Sequence, residues 1–190
     1  MTKHLTVKEK EALTFEKMKS VFGYKNAMAT PKLKKLVINV GTGTALKKDK
    51  NKNEAVGERL AKITGQKAAL RGAKKSVASF KIRQGDPIGL VVTLRGKRMY
   101  AFLEKLINVA LPRTKDFRGV SRSAVDNIGN ITIGIREHTI FPETADEDIK
   151  DVFGLSITVV STAKTKKEGM AFFELLGIPF KREEDSKKAK

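Results

Sequence analysis

Residues 62–98 read KITGQKAALRGAKKSVASFKIRQGDPIGLVVTLRGKR and carry ten lysines and arginines against a single acid, Asp86. Charged tails are usually poor in Val, Ile and Leu, whereas this stretch contains several of these residues and includes an alternating apolar run. The pattern therefore indicates a folded basic surface that is built largely on extended chain.

Two segments of the chain predict strands with one apolar face and one polar face. They are LKKLVINVGTG, residues 33–43, and PIGLVVTLRG, residues 87–96. Side chains of a strand point alternately to opposite sides of the sheet. One face of each strand is apolar: Leu36, Ile38 and Val40 in the first, and Ile88, Leu90, Val92 and Leu94 in the second. The other faces carry cations, amides and hydroxyls that remain available to a ligand.

Helices are predicted between the strands. The pairs Thr6–Glu9 and Thr165–Glu168 have the spacing of a capping box, so we expect helices to begin there, the first ending near Gly23. Apolar residues at helical spacing predict two further helices. One carries Val56, Leu60 and Ile63 and ends before Gly65; the other carries Met99, Phe102, Leu103, Leu106, Ile107 and Ala110 and ends before Pro112. The helix that begins at Thr165 carries Met170, Phe173 and Leu176 and ends before Gly177. Further strands are expected over residues 66–71, 131–135 and 155–162.

This order of elements predicts an α+β fold. We expect a mixed or antiparallel sheet with helices packed on one face, a polar sheet face, and a long basic loop for RNA. Because no linker divides the chain and no segment repeats, residues 1–180 are predicted to form a single domain. Residues 181–190 are expected to be a flexible charged C-terminal tail.

The overall charge points to a polyanionic partner. The 190 residues include 39 Lys and Arg against 21 Asp and Glu, giving a net charge of +18 and a pI near 10.1. Nucleic acid is the first expectation. An anionic membrane is the rival, but no apolar run approaches the ~20 residues that span a bilayer. The absence of cysteine and of a signal-peptide pattern predicts a cytosolic protein without disulfides.

Catalytic and metal-binding patterns are weak. The Gly41–Thr44 turn, with Lys47 and Lys48 after it, has the spacing of neither a dinucleotide-binding loop nor a P-loop. We interpret His138 as an ordinary loop histidine. The acids at 143–151 are interpreted as a solvated loop or a patch for a basic protein, not as a Mg²⁺ site. We therefore expect no enzyme, no metal and no cofactor; an RNA-modifying enzyme remains an alternative class.

RNA binding is the function that these residues favour. Lys35 and Arg95 are suited to phosphate, while Asn39, Gln66 and Thr93 can hydrogen-bond bases or sugars. Aromatic residues are sparse in the basic stretch, so recognition by shape and hydrogen bonds is expected instead of base stacking. A general RNA chaperone or nucleoid protein is the alternative binding function.

The motifs also resemble a known family. The strings LVINVGTG, ITGQKAALRGAKKSVASFKIRQGDPIG, VTLRGKRMYAFLEKLI, LPRTKDFRG, ITIGIREHTIFPE and GLSITVVSTAKTKKEG, spread over residues 5–181, resemble the bacterial-type L-five family of large-subunit ribosomal proteins, which binds 5S rRNA. Asp86 stands where that family usually has an aromatic residue. The resemblance implies a structural protein of the central protuberance of the large subunit, located on cytoplasmic ribosomes.

The resemblance also implies roles for residues. The expected 5S rRNA contacts are Lys35, Asn39, Gly41, Gly43, Gln66, Lys67, Thr93 and Arg95. A loop over about Arg71–Gly85 is expected to reach the peptidyl-site (P-site) tRNA through Arg71, Lys74, Lys75, Ser76, Phe80, Lys81, Arg83 and Gln84. A bridge to small-subunit ribosomal protein thirteen is expected from Arg113, Lys115, Asp116, Phe117, Arg118, Glu143 and Asp146. Further implied partners are 23S rRNA and neighbouring ribosomal proteins of the 5S particle.

Overall fold

The computed structural model describes residues 5–43, 52–144 and 152–181. Its helices are Val7–Ala12 (α1), Thr14–Phe22 (α2), Lys52–Thr64 (α3), Gly96–Lys105 (α4), Leu111–Arg113 (α5) and Lys166–Leu176 (α6). Its strands are Leu33–Gly41 (β1), Ala69–Gly72 (β2), Pro87–Leu94 (β3), Ile131–Ile135 (β4) and Leu155–Ser161 (β5). Single 3₁₀ turns occur at Ala27–Ala29, Ala78–Phe80, Arg122–Ala124, His138–Ile140 and Pro142–Thr144. The predicted glycine-loop lysines Lys47 and Lys48, and tail residues 182–190, lie outside the described residues.

The five strands form one sheet in the order β2-β3-β1-β5-β4. Backbone bonds join the end of one strand to the start of its neighbour, as in antiparallel pairs. Thr42 follows β1, and its N–H donates to the carbonyl oxygen of Ile88 near the start of β3 (2.9 Å). Thr162 follows β5, and its N–H donates to the carbonyl oxygen of Lys32, just before β1 (2.9 Å). β2 pairs antiparallel with β3. The predicted α+β fold with an antiparallel sheet is confirmed.

The predicted strand faces are found in the structure. The apolar face of every long strand is buried: Leu36, Ile38, Val40, Leu90, Val92, Leu94, Ile131, Ile133, Ile135, Leu155, Ile157 and Val159. On the opposite side of β1, Asn39 and Gly41 are exposed and Lys35 is half-buried. The alternation along the sequence thus separates a core face from a polar face, as expected for a half-buried sheet.

The described chain divides into two compact units. The first takes the residues up to Leu36, Arg95–Ile133, and those from Thr158 onward; the second takes Val37–Leu94 and Gly134–Ile157. In the first unit α1 packs against α4 and α6, and in the second α3 packs against β3. The single domain expected over residues 1–180 stays a prediction.

The first capping box forms as predicted. Glu9 N–H donates to Thr6 Oγ1 (3.3 Å), and Thr6 N–H donates to Glu9 Oε2 (2.8 Å). The helix that begins there is interrupted at Leu13, which separates α1 from α2, and it ends at Gly23 in the left-handed conformation (φ 67°). Gly23 is suited to that position because a residue without a Cβ pays little for positive φ.

The predicted helix end before Pro112 is wrong. After α4 the chain makes a π-helical turn over Leu106–Ala110 and continues as α5 to Arg113. The Leu111 N–H donates to Leu106 O, five residues back. A π turn inserts a residue into the helix and changes the hydrogen-bond register ahead of the proline, so the helix can continue through it.

The second predicted capping box forms only in part. Glu168 N–H donates to Thr165 Oγ1 (3.3 Å), but the Glu168 carboxylate accepts from Lys164 N–H (2.7 Å) and from the Tyr24 hydroxyl. The reciprocal bond to the Thr165 backbone is absent because that carboxylate is held by these other donors. In α6 the buried aromatic residues are Phe172 and Phe173, while Met170 is half-buried.

Candidate nucleic-acid interface

The polar face of the second unit begins on β1. Asn39 and Gly41 are exposed there, and the Ser156 hydroxyl of β5 donates to the Asn39 carbonyl oxygen at 3.4 Å. Thr93 of β3 is half-buried on the polar side of its own strand. Ser156 was missed by the sequence analysis, although its alternation with buried Leu155 and Ile157 was a usable signal.

Gln66 and Lys67 were predicted to lie in a strand, and that prediction is wrong. They lie in the connection between α3 and β2, because Gly65 with φ 67° ends the helix and β2 starts only at Ala69. Gln66 is nevertheless held in place. Its N–H donates to Thr64 Oγ1 (3.3 Å), and its side-chain Nε2 donates to the Thr93 carbonyl oxygen (3.4 Å). Gln66 and Thr93, two predicted RNA-binding residues from separate segments, are therefore in direct contact.

A buried pair fixes the turn that follows β1. The Thr42 hydroxyl donates to Asn53 Oδ1 (2.5 Å), and the Asn53 amide donates to the Pro87 carbonyl (3.1 Å). A Cβ on Gly43 would only touch Ile88 and Ile82 at ordinary contact distances of 3.6–3.8 Å. The position of this turn is thus set by Thr42 and Asn53, which the sequence analysis did not identify because their partnership spans 11 residues.

Lys35 and Arg95 belong to the first unit. Lys35 is half-buried on β1, and Arg95 is exposed. Arg95 was placed on a strand by the sequence analysis, but it follows β3 and is the N-cap residue of α4. Both cations are accessible to a polyanion, and the eight predicted 5S rRNA contacts are divided between the two units.

The basic loop between β2 and β3 is a structured hairpin extension. Ala73 N–H donates to Asp86 O (2.8 Å), and Gly85 N–H donates back to Ala73 O (3.0 Å). Farther out, Val77 and Ile82 form an isolated antiparallel bridge. The residues predicted to reach tRNA all have exposed side chains: Arg71, Lys74, Lys75, Ser76, Phe80, Lys81, Arg83 and Gln84. The loop therefore presents its cations outward on a defined backbone.

Asp86 stabilises the base of this loop. Its Oδ2 accepts a hydrogen bond from Arg83 N–H (2.7 Å), while Ser76 Oγ accepts from Gln84 N–H (2.9 Å). A short acidic side chain that bonds a backbone amide three residues away is typical of turns. The acid within the basic stretch is thus explained by local backbone geometry.

The residues expected at the intersubunit bridge come from both units. Residues 113–118 follow the π turn in the first unit, where Val120 N–H donates to Pro179 O (2.7 Å) and Lys181 N–H donates to Val120 O (2.9 Å). Glu143 lies in a 3₁₀ turn of the second unit, and Asp146 lies outside the described residues.

His138, interpreted from the sequence as an ordinary loop histidine, lies in the 3₁₀ turn His138–Ile140 and is buried in the core. It is fully buried, its ring stacks on that of Phe153 with centroids 4.1 Å apart, and its Nδ1 accepts from Phe153 N–H (3.4 Å). Across residues 5–43, 52–144 and 152–181, no group of three or more His, Asp or Glu side chains is arranged to hold a metal ion. In the same part of the chain, no helix is long and apolar enough to cross a membrane.

Comparison with known proteins gives consistent matches over most of the chain. Residues 26–83 match the family model described as Ribosomal protein L5, and residues 87–180 match the model described as ribosomal L5P family C-terminus. The large ribosomal subunit protein uL5 of Trichlorobacter lovleyi is 50% identical over 166 residues, which are 87% of this chain and 92% of that protein. The proteins of the same name from Desulfatibacillum aliphaticivorans and Dictyoglomus turgidum are each 52% identical, over 87% and 85% of this chain and 92% and 89% of their own lengths.

Proposed function

Because this chain belongs to the ribosomal protein L5 family, we propose that it binds 5S rRNA through the polar strand face of β1 and β3. The protein is a structural component of the large ribosomal subunit, and its family is not enzymatic. As a ribosomal component it acts in the cytoplasm.

One observation carries the 5S rRNA proposal. The Gln66 amide is bonded to the Thr93 carbonyl, so two polar residues that sequence and family resemblance both select adjoin on the second unit. Asn39, which is exposed on β1, supplies a further side-chain amide for hydrogen bonds to RNA. Amides and hydroxyls on a rigid sheet can read base edges and 2′-hydroxyls without an aromatic stacking platform. Gly41, which is exposed, ends the strand, and Gly43 follows in the turn; neither has a side chain that would cover the backbone.

Phosphate contacts are proposed for predicted cations of both units. Lys35, Lys67 and Arg95 supply charge that attracts RNA without selecting its sequence. The amides of Asn39 and Gln66 and the hydroxyl of Thr93 then give the preference for 5S rRNA over other RNAs. This division predicts that cation variants change the salt dependence of binding, whereas polar variants change the preference for 5S rRNA.

The hairpin extension is proposed to contact P-site tRNA. Its backbone bonds between Ala73 and Asp86 and between Val77 and Ile82 hold the chain in a defined course, and Phe80 is 60% exposed near its tip. A cationic hairpin with an exposed aromatic ring is suited to a nucleic-acid backbone with an accessible base.

Membership of the large subunit also leads us to propose further protein and RNA contacts in the assembled ribosome. Residues 113–118 with Glu143 and Asp146 are proposed to meet small-subunit ribosomal protein thirteen. The remaining proposed neighbours in the central protuberance are 23S rRNA and other proteins of the 5S particle. The acidic members would then face a basic partner.

A competition experiment tests the central proposal. Labelled 5S rRNA is bound to the purified chain on filters and competed with unlabelled 5S rRNA or with bulk RNA of matched length. We expect 5S rRNA to compete at least about tenfold better, which corresponds to about 1.4 kcal/mol. A smaller difference would favour the alternative of a general RNA chaperone.

A further inference from the structure

β2 forms one end of the sheet, and its outer edge has no neighbouring strand among the described residues. In the strand order β2-β3-β1-β5-β4, only β3 lies beside β2 in this part of the chain. All four residues of β2, Ala69–Gly72, are exposed. The edge strand of a sheet presents a row of backbone N–H and C=O groups that can pair with a further strand. β2 thus offers a backbone surface that is separate from the polar strand face proposed for 5S rRNA.

The hydrogen bonds beyond β2 show which of its backbone groups point outward. Both backbone groups of Ala73 bond to residues 85–86, which lead into β3, at 2.8 and 3.0 Å. Successive residues of a strand direct their N–H and C=O groups to opposite edges, so Arg71 faces β3 as Ala73 does. Leu70 and Gly72 therefore direct their backbone groups away from the sheet, where two donors and two acceptors are available to a partner.

The centre of this edge carries an exposed apolar side chain. Leu70 is 59% exposed although it pairs with Leu90, which is buried. Opposite residues of an antiparallel pair lie on the same face, so Leu70 is on the core side of the sheet. α3 covers Leu90, since a Cβ on Gly57 would lie 3.4 Å from Leu90 Cδ2. That cover leaves most of Leu70 in solvent, so a strand beside β2 would gain apolar contact there.

The charge along this edge favours an acidic partner. Exposed cations lie before, within and after β2: Lys67, Arg71, Lys74 and Lys75. A second copy of the chain would bring Arg71 against the same cations, which opposes self-pairing. RNA phosphates have no donor for the outward C=O groups. An acidic polypeptide strand matches both the charge and the paired donors and acceptors of the edge.

We propose that the outer edge of β2 binds an extended acidic segment of another protein, which adds a strand to the sheet. Leu70 and Gly72 exchange backbone hydrogen bonds with this segment. Its apolar side chains lie on the core side, beside Leu70 and over Gly72, which has no side chain of its own. Its acidic side chains lie on the opposite side, beside Arg71. The segment is therefore expected to alternate acidic and apolar residues.

The test is amide hydrogen exchange of the intact chain, followed by NMR, with and without a short peptide of alternating glutamate and valine. At a peptide concentration about ten times its Kd, exchange at the Leu70 and Gly72 amides should slow about tenfold, because only the unbound fraction exchanges freely. Unchanged exchange at both amides at millimolar peptide would overturn the proposal.

Matched peptides separate backbone pairing from charge. N-methylation of alternate residues on the pairing side removes the peptide's N–H donors at constant charge, so protection of Leu70 and Gly72 should be lost. A peptide of the same composition in two blocks, glutamates followed by valines, should bind at least about tenfold more weakly. Equal protection by all three peptides would show that charge alone attracts them and would contradict the added strand.

Variants at exposed positions locate the site. Leu70→Ser and Arg71→Glu should each weaken the alternating peptide about threefold or more, the usual scale of a cross-strand pair. Their matched controls in the first unit are Ile128→Ser, at a side chain 63% exposed, and Lys17→Glu, at an exposed position of α2. The controls should bind like the parent. If Lys17→Glu weakens the peptide as much as Arg71→Glu does, net charge explains the binding and the proposal is wrong.

Two further measurements distinguish the occupants. If a single-stranded RNA oligonucleotide protects Leu70 and Gly72 as strongly as the alternating peptide does, the edge is an RNA contact. If exchange slows when the concentration of the chain alone is raised, the edge is an interface between two copies. Either result overturns the proposal. Because none of these samples contains 5S rRNA or tRNA, failure here is distinguishable from failure of the proposed RNA sites, one of which includes Arg71.

Discussion

At Gly89, β3 passes so close to β1 that a Cβ would lie 2.9 Å from the carbonyl oxygen of Val40. No real side chain is accommodated at that distance from a backbone atom without movement of one strand. Since β1 and β3 carry Asn39 and Thr93, this approach also sets the spacing of the proposed RNA-binding groups. Gly89 therefore links the packing of the sheet to the proposed RNA-binding face.

Gly89→Ala is expected to destabilise the protein by about 1–3 kcal/mol, because the added methyl group forces the two strands apart. It should also weaken 5S rRNA binding under conditions where the variant is folded. Urea unfolding and filter binding measure the two effects. Gly134→Ala, at an exposed position of β4, is the matched control, since a Cβ there meets nothing within 4 Å. Equal stability of the two variants would show that the strands can separate at little cost.

Asn39→Ala is expected to cost about 1 kcal/mol or more of 5S rRNA affinity, the usual effect of losing a hydrogen bond at a contact that excludes water. Stability should change little, because the Asn39 side chain is exposed. Asn108→Ala removes another exposed amide, from the π turn of the first unit, and serves as the control. If both variants bind 5S rRNA like the parent, the strand face is not the site.

Replacing Lys74 and Lys75 together by alanine is expected to leave 5S rRNA binding nearly intact and to weaken contacts of the ribosome with tRNA. The control replaces Lys17 and Lys25, which are also exposed. Filter binding at several salt concentrations measures the first effect, and tRNA binding to reconstituted ribosomes measures the second. A loss of 5S rRNA affinity with a salt slope reduced by about 2 would instead make the hairpin an rRNA contact.

Asp86→Ala is expected to loosen the base of the hairpin extension, because it removes the acceptor for Arg83 N–H. Amide hydrogen exchange should then be faster at Arg83 than in the parent. The Gln84 amide, bonded to Ser76 Oγ, is an internal reference in the same loop. Unchanged exchange at Arg83 would mean that the carboxylate does not hold the turn in solution.

Alkaline pH is expected to destabilise the first unit through its two tyrosines. Burial, then a hydrogen bond and the charge of Glu11, raise the pKa of Tyr100 from 10.0 to about 12; burial and Glu168 likewise raise the pKa of Tyr24. A raised pKa favours the protonated folded form, so this stability is complete below pH 10 and is lost as pH rises from 10 towards 12.

Comparison with Tyr100→Phe isolates that effect, because the two proteins differ in no other titratable group. The free energy of unfolding, measured by urea denaturation in this pH range, should fall more steeply for the parent than for the variant. Parallel pH profiles would show that Tyr100 has a similar pKa in the folded and unfolded chains.

Local features of this protein were predictable from neighbouring residues. The alternation in β1 and β3 and the Thr6–Glu9 capping box depend on contacts within a few positions, so sequence periodicity identified them. The family resemblance added roles that periodicity alone does not reveal. One failed prediction depended on a distant partner, because the Glu168 carboxylate bonds Tyr24, 144 residues away. The failed helix end at Pro112 had a local cause, a π turn over Leu106–Ala110 that apolar periodicity does not reveal.

The sequence by itself determined the partner class and the apolar and polar faces of the strands, because charge and alternation are properties of short segments. The family was identified by the resemblance of its motifs. Only the tertiary structure decided which polar groups adjoin. It bonded Gln66 to Thr93, buried His138 against Phe153, and placed β2 beside β3 at one end of the sheet. Such contacts join residues far apart in the chain, and their geometry is set by the packing of whole elements, which no local pattern encodes.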